Sequence, residues 1–131
     1  MIVVDSSGWV EIVRGGERRE AFREAIKAAG TVFVPALVVY EVYRIVERLA
    51  GEGEADGIAA HLRSHTVVDL TDEIAIAAAK LGKQHRLATA DAVIYATAHH
   101  FRATLVTGDS HFAGLPDVKH IPLVPDAQPP R

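Results

Sequence analysis

The chain of 131 residues is 49% hydrophobic and 24% charged, with a formal net charge of −3 at pH 7. These values predict one globular domain with an apolar core, and they exclude the broad basic surface of proteins that bind nucleic acid tightly and without selectivity. Because the chain contains no cysteine, disulfides and thiolate metal sites are excluded as well.

Short apolar runs alternate with amphipathic segments along the chain. In chain order they predict a strand at residues 2–4, helices at 7–14 and 17–29, a strand at 31–34, helices at 35–50 and 54–64, a strand at 66–68, helices at 72–85 and 90–101, and strands at 103–106 and 118–121. Residues 1–121 form the predicted domain. The proline-rich segment 122–131 is predicted to be a mobile tail.

Glycine, proline and threonine residues mark the predicted helix ends. Gly30 is a typical helix stop, and Pro35 is tolerated at the first position of the helix it opens. Gly51 and Gly53 are expected to separate the next two helices, and Thr71 is the expected N-cap of the following one. This strand–helix alternation predicts a three-layer α/β/α fold, with a central parallel sheet of four to five strands and helices on both faces.

Four acidic residues stand at the ends of apolar segments. Asp5 and Asp109 come after predicted strands, whereas Glu41 and Asp91 lie within predicted helices. Ligands of parallel sheets bind beyond the carboxyl ends of the strands, so Asp5 and Asp109 are expected to face one crevice. Since clustered carboxylates repel each other, a cation is expected among them, and hard oxygen ligands suit Mg²⁺ or Mn²⁺.

Helix capping is an alternative explanation for three of these acids. Asp5 and Asp109 would cap the turns that follow them, and Asp91 lies in a first helical turn, where a negative charge is favourable. Glu41 caps nothing, because it lies in the middle of a helix on the apolar stripe. The alternative for Glu41 is an ion pair with Arg44 or exposure at the edge of that stripe.

Four short motifs surround the acids: Asp5-Ser6-Ser7 after a strand, Glu41 within the helix opened by Pro35, Asp91-Ala92 leading into Ala96-Thr97-Ala98, and Thr107-Gly108-Asp109 followed by Phe112. In this order they resemble the PIN domain, and the chain length and motif order resemble the toxin ribonucleases of VapBC-type toxin–antitoxin modules. The resemblance covers about residues 1–121. It implies that Asp5, Glu41, Asp91 and Asp109 are catalytic metal ligands, and that Ser6 and Thr107 orient carboxylates.

The same resemblance implies an activity and partners. The chain is expected to be a Mg²⁺- or Mn²⁺-dependent endoribonuclease, the toxin of a type II toxin–antitoxin module, which cleaves RNA by metal-activated water and leaves a 5′-phosphate and a 3′-hydroxyl. A cognate antitoxin protein and a second copy of the chain in a homodimer are the expected partners. Lacking cysteine and any apolar run of membrane-spanning length, the protein is expected to be soluble and cytoplasmic, with no membrane partner.

Two other functions stay open at this point. One is a noncatalytic PIN-like binding module whose acidic cleft holds a basic segment of a partner protein. The other is a phosphate-transferring signalling domain, which would require an acidic pair after the first strand and an aspartate after the third; only Asp69 meets the second requirement. Among the seven histidines, His111 beside Asp109 is the best candidate for a functional one.

Two further groups of residues have a structural and a functional explanation. One group is a cluster of arginines that alternate with glutamates: Arg14, Arg18, Arg19 and Arg23. Such a pattern is typical of a solvated helix face, and contact with RNA backbone or an acidic partner is the alternative. Tyr40 and Tyr43 are expected to pack in the core or an interface rather than to stack on bases.

Overall fold

Five strands form one fully parallel sheet in the computed structural model, which describes residues 1–123. The strands are β1 (Ile2–Val4), β2 (Val32–Pro35), β3 (Thr66–Val68), β4 (Thr104–Thr107) and β5 (Val118–His120). Their order across the sheet is β3-β2-β1-β4-β5, and each neighbouring pair is parallel. From position 124 onward, the predicted tail lies outside the described residues.

Six helices connect the strands: α1 (Ser6–Val13), α2 (Arg19–Ala28), α3 (Ala36–Ala50), α4 (Glu52–Arg63), α5 (Asp72–His85) and α6 (Thr89–His100). The chain moves outward from β1 to β3 through α1–α4 and returns across the sheet to β4 through α5 and α6. Right-handed crossovers in opposite directions place the two helix groups on opposite faces, so the predicted three-layer α/β/α fold is confirmed. Within residues 1–123, no helix is long and apolar enough to cross a membrane.

The strand order reverses between β1 and β4. β2 lies on one side of β1 and β4 on the other, with Ile2 in register with both Val32 and Thr104. Such a switch point opens a crevice beyond the carboxyl ends of the two strands, where ligands of α/β sheets bind. Asp5 directly follows β1 and Asp109 closely follows β4, so both residues border this crevice.

Most predicted element ends lie within one or two residues of the observed ones, and two predicted roles were wrong. Pro35 ends β2 and occupies the N-cap position of α3 with an extended backbone, so the helix begins at Ala36. Gly53 lies inside α4, and Gly51 alone, with φ of 93°, separates α3 from α4. The cap at Thr71 is confirmed, since its Oγ1 accepts a hydrogen bond of 3.2 Å from the Ile74 amide.

The main core fills the space between the sheet and its helices. Its fully buried side chains include Val3, Val4, Trp9, Phe22, Val34, Val38, Leu62, Leu105 and Phe112. Each such side chain contributes roughly 1.5–3 kcal/mol through burial. Trp9 also satisfies its polar atom, because Nε1 donates to the Val4 carbonyl at 3.1 Å. This packing fixes α1 against β1, and it thereby fixes the crevice residues at the start of α1.

Candidate metal centre

Asp5 links the end of β1 to the start of α1. Its side chain is buried, at 4% exposure, and it is the N-cap of α1. Oδ1 accepts hydrogen bonds from the Ser7 hydroxyl at 2.6 Å and the Gly8 amide at 3.3 Å, and Oδ2 accepts one from the Thr107 hydroxyl at 2.7 Å. Burial raises the pKa of Asp5, the three hydrogen bonds oppose that rise, and the nearby Asp109 adds to it. The Asp5 carboxylate therefore both caps α1 and lies close to the other acidic residues.

The segment after β4 brings Asp109 to the crevice. Thr107 is fully buried, and its Oγ1 both donates to Asp5 and accepts from the Asp109 amide at 2.9 Å. Oδ1 of Asp109 accepts a hydrogen bond of 2.8 Å from the backbone amide of His111, which lies in a short 3₁₀ turn (Ser110–Phe112). The imidazole Nδ1 of His111 lies 3.0 Å from the same oxygen. Asp109 thus caps the turn, as the sequence suggested, and also lies in the cluster.

Glu41 lies on α3 and is partly buried. Its Oε1 is shielded from solvent and has no hydrogen-bond partner among the described residues. Burial raises the pKa of Glu41, Ser6 opposes the rise, and the charges of Asp91 and Asp5 reinforce it. The expected alternative, an ion pair with Arg44, is not formed, because the Arg44 guanidinium donates to the Tyr40 hydroxyl at 3.1 Å and lies over its ring.

Asp91 lies in the first turn of α6 and is partly buried. Burial raises its pKa, as does the neighbouring Asp109, whereas His111 lowers it. Ligand atoms of Asp91, Asp109 and His111 all lie within 4.8 Å of one another. The sequence named His111 as the best histidine candidate, and the structure places its imidazole beside two of the predicted acids.

The four predicted acids form a continuous ring of interacting charges. Asp5 interacts with Asp109 and Glu41, and Asp91 interacts with the same two residues. Within residues 1–123, no lysine or arginine forms an ion pair with any of them. Burial without a basic partner is unfavourable for carboxylates, so the ring has an uncompensated negative charge at neutral pH.

The residues present fit a hard divalent cation. Oxygens of Asp91 and Asp109 and a nitrogen of His111 lie close enough together for one ion, and the unpaired Oε1 of Glu41 supplies a further acceptor that the protein itself leaves unused. Oxygen donors of this kind suit Mg²⁺ and Mn²⁺, and an imidazole such as that of His111 is better tolerated by Mn²⁺ than by Mg²⁺. A bound cation would offset both the burial and the mutual repulsion that raise the pKa of Asp5, Glu41 and Asp91.

Sequence reasoning missed two contributors to the site. Ser7 donates to Asp5, and its oxygen also accepts from the Gly108 amide at 3.0 Å, while the predicted Ser6 acts on the Glu41 carboxyl. Arg18, expected on a solvated face, forms a buried pair with Glu11 at 3.1 Å. The available signal for Ser7 was its place in the first turn of a helix capped by Asp5, whereas the sequence carried no signal for Arg18.

The other arginines of α2 and the two tyrosines of α3 lie toward the protein surface. Arg19 and Arg23 lie close to Glu20 on the exposed face of α2, as the charge pattern predicted. Tyr40 is 56% exposed on α3, so it does not pack in the core, and its packing in an interface stays a prediction. Tyr43 is partly buried, and its hydroxyl donates to Asp56 at 2.9 Å.

One comparison with known proteins identifies the family. The family model for the PIN domain matches residues 2–118. No curated protein sequence matches the chain significantly. Among solved structures, a toxin–antitoxin complex from Klebsiella pneumoniae is similar with 22% identity and a TM-score of 0.76, covering 92% of this chain and 100% of that chain.

Two further solved structures show the same fold. VapC20 from Mycobacterium tuberculosis, described as a sarcin–ricin loop cleaving toxin, is 20% identical with a TM-score of 0.74 and covers 93% of this chain and 100% of that chain. VapBC2 from Rickettsia felis, bound to a DNA fragment from its promoter, is 17% identical with a TM-score of 0.72 and covers 92% of this chain and 98% of that chain. At these identities, the likeness establishes the fold.

Proposed function

The chain belongs to the PIN-domain family, whose model spans most of its length, and from this membership we propose that it is a metal-dependent endoribonuclease acting as the toxin of a type II toxin–antitoxin module. The observation that carries the proposal is the ring of four carboxylates, with an unpaired buried oxygen on Glu41 and no lysine or arginine partner within residues 1–123. The relatives support the toxin role, since one is described as a cleaving toxin and another as a toxin–antitoxin complex.

We assign the metal ligands to Asp5, Glu41, Asp91 and Asp109. A Mg²⁺ or Mn²⁺ ion held there would activate water and neutralise the charge of the phosphodiester. Thr107 and Ser7 hold the two oxygens of Asp5, which keeps that carboxylate in one orientation. No side-chain nucleophile is required, and the proposed products carry a 5′-phosphate and a 3′-hydroxyl.

The proposal predicts RNA cleavage that depends entirely on a divalent ion. The purified protein is expected to cut RNA with Mg²⁺ or Mn²⁺ and to stop when a chelator is added, because the carboxylate ring alone would repel the phosphate. Mapping the new RNA ends by sequencing identifies the cleaved position and checks for the 5′-phosphate. A protein that binds a basic peptide but cuts no RNA with either ion would contradict the proposal and favour the noncatalytic binding module.

Replacing Thr107 by valine is expected to lower activity about 10- to 100-fold, the usual cost of losing a group that orients a metal ligand. The change removes the hydrogen bond to Asp5 and leaves the Asp109 amide without its acceptor. RNA cleavage rates, measured alongside thermal unfolding, check this. Thr97→Val is the matched control, since Thr97 is equally buried but bonds to a carbonyl of its own helix. Equal losses in the two variants would refute the orienting role.

We further propose a cognate antitoxin and a homodimer as the assembly of this chain. No lysine or arginine within residues 1–123 pairs with the four carboxylates, which leaves the crevice able to accept a cationic side chain from an antitoxin. Such a contact would block the crevice by occupying the place of the metal ion. Co-expression with a candidate antitoxin, followed by size measurement of the purified complex, tests both partners.

A further inference from the structure

Arg18 joins three distant parts of the fold. Its Nε lies 3.1 Å from Glu11 Oε2, and its Nη1 donates to the carbonyls of Gly108 at 3.1 Å and Ile121 at 3.2 Å. These carbonyls are 90 and 103 residues away in sequence. The side chains of Arg18 and Glu11 are only 15% and 7% exposed. The turn between α1 and α2 is therefore tied to the chain at the ends of β4 and β5.

Glu11 fixes the guanidinium from the opposite side. Burial alone would raise the pKa of Glu11, but hydrogen bonds from the Arg18 backbone and side chain, with its charge, hold that pKa below its ordinary value. The pair is therefore ionised at neutral pH. Gly16 lies so close to the Glu11 carboxylate that a side chain there would collide with it. This arrangement leaves the guanidinium little freedom to turn away from Gly108.

Gly108 is held at both ends of its backbone. Its amide donates to Ser7 at 3.0 Å and its carbonyl accepts from Arg18 at 3.1 Å. A Cβ at this position would lie 2.6 Å from Arg18 Nη1. Because the peptide unit is planar, a fixed Gly108 carbonyl also fixes the amide and the Cα of Asp109, the atom from which its carboxylate side chain projects.

We propose that Arg18 is a positioning residue for the metal centre, which sets the orientation of Asp109 relative to Asp91 through the Gly108 carbonyl. The inference rests on the proposed metal-dependent function and deepens it. Arg18 forms no ion pair with the four acids, so it acts through the backbone rather than by neutralising charge. The planar guanidinium can donate to Glu11 and to both carbonyls at once, which the single ammonium of lysine does less well because it lacks the fixed fork.

The test uses Arg18→Met, Arg18→Lys and the control Arg23→Met. Arg23 lies on α2 and, among residues 1–123, pairs only with the exposed Glu20, so its replacement by methionine removes the same charge without reaching the crevice. Mn²⁺ affinity is measured by titration calorimetry on folded protein, and kcat and KM are measured on a cleaved RNA. For Arg18→Met, we expect a 10- to 100-fold loss in Mn²⁺ affinity or kcat, with KM changed by less than about threefold. Arg18→Lys is expected to recover part of that loss. Arg23→Met is expected to have wild-type values.

A folded Arg18→Met protein with wild-type Mn²⁺ affinity and kcat would overturn the inference. If that variant does not fold, Arg18→Lys and Gly108→Ala test the inference instead, because the methyl group added at position 108 pushes Arg18 away from the same carbonyl. Normal Mn²⁺ affinity in both variants would also overturn the inference. The Mn²⁺ titration does not depend on RNA cleavage. A wild-type protein that binds Mn²⁺ but cuts no RNA therefore contradicts the nuclease proposal alone, and the Arg18 comparison still tests positioning.

Discussion

Asp5→Asn is expected to abolish RNA cleavage, with a loss of at least about 100-fold, while the protein stays folded. Asparagine is as good an N-cap as aspartate, so α1 keeps its cap and an oxygen that accepts from Gly8 and Ser7. The substituted amide nitrogen cannot accept the Thr107 hydrogen bond and carries no charge for a cation. Cleavage rates with saturating Mn²⁺ and thermal unfolding of the same samples measure the two effects separately.

Asp69→Asn is the matched control for this substitution. Asp69 also follows a strand, but β3 is at the edge of the sheet and Asp69 is exposed there. Its replacement removes the same charge at a place remote from the switch point, so full activity is expected. If Asp5→Asn retained more than a tenth of the wild-type rate, or if Asp69→Asn lost as much, the assignment of Asp5 to the metal centre would be refuted.

The elements of this fold were predictable because their signals are local. The apolar runs that form β1, β2 and β4 are rich in β-branched residues, and glycines such as Gly30 end the helices close to where they were expected. The errors at Pro35 and Gly53 have local causes too. An extended backbone at Pro35 makes it the last residue of a strand, and the first turn of α4 tolerates Gly53 once Gly51 has already reversed the chain.

The acidic ring was predictable residue by residue, whereas its hydrogen bonds were not. Each acid stands beside an apolar segment, which is visible in the sequence, and Glu41 was singled out because a carboxylate on an apolar stripe needs a partner. Ser7 was overlooked because adjacent residues of a helix point about 100° apart, and only the observed start of α1 shows that Ser7 faces Asp5.

Arg18 shows what charge patterning cannot reveal. Alternating arginines and glutamates predicted a solvated face, which holds for Arg23. Arg18 is buried because two glycines far apart in sequence, Gly16 and Gly108, leave room for its pair with Glu11. Such a pocket depends on the packing of α1 against β4, a long-range contact that no local pattern encodes.

Without metal, the Glu41→Gln variant is expected to be more stable than the wild type. When metal is added, the wild type is expected to become the more stable of the two. The raised pKa of Glu41 means that the folded state binds its proton more tightly than the unfolded chain does. Stability therefore falls as pH rises from the unfolded value of about 4.3 through the folded pKa, and the penalty is complete above it. The neutral amide avoids that penalty, so the metal-free variant is expected to be more stable at neutral pH, by at most about 1 kcal/mol because solvent screens a partly exposed carboxylate.

Added metal is expected to stabilise the wild type more than the Glu41→Gln variant. A Mn²⁺ concentration of about 100 times its Kd stabilises the wild type by about 2.7 kcal/mol through mass action. The variant has lost a ligand oxygen, so the same concentration stabilises it less. Denaturant unfolding in chelator and in Mn²⁺ measures both differences, and in chelator the advantage of the variant is expected to vanish as the pH is lowered below about 4.

Glu47→Gln provides the control on the same helix. Glu47 is exposed on α3, away from the four acids, so its replacement is expected to leave both the metal-free stability and the response to Mn²⁺ unchanged. If Glu41→Gln were less stable than wild type in chelator, Glu41 would be held by a favourable interaction rather than strained by its neighbours. An equal response of Glu41→Gln and wild type to Mn²⁺ would remove Glu41 from the ligand set, and with it the explanation for a buried, unpaired oxygen at the centre of the ring.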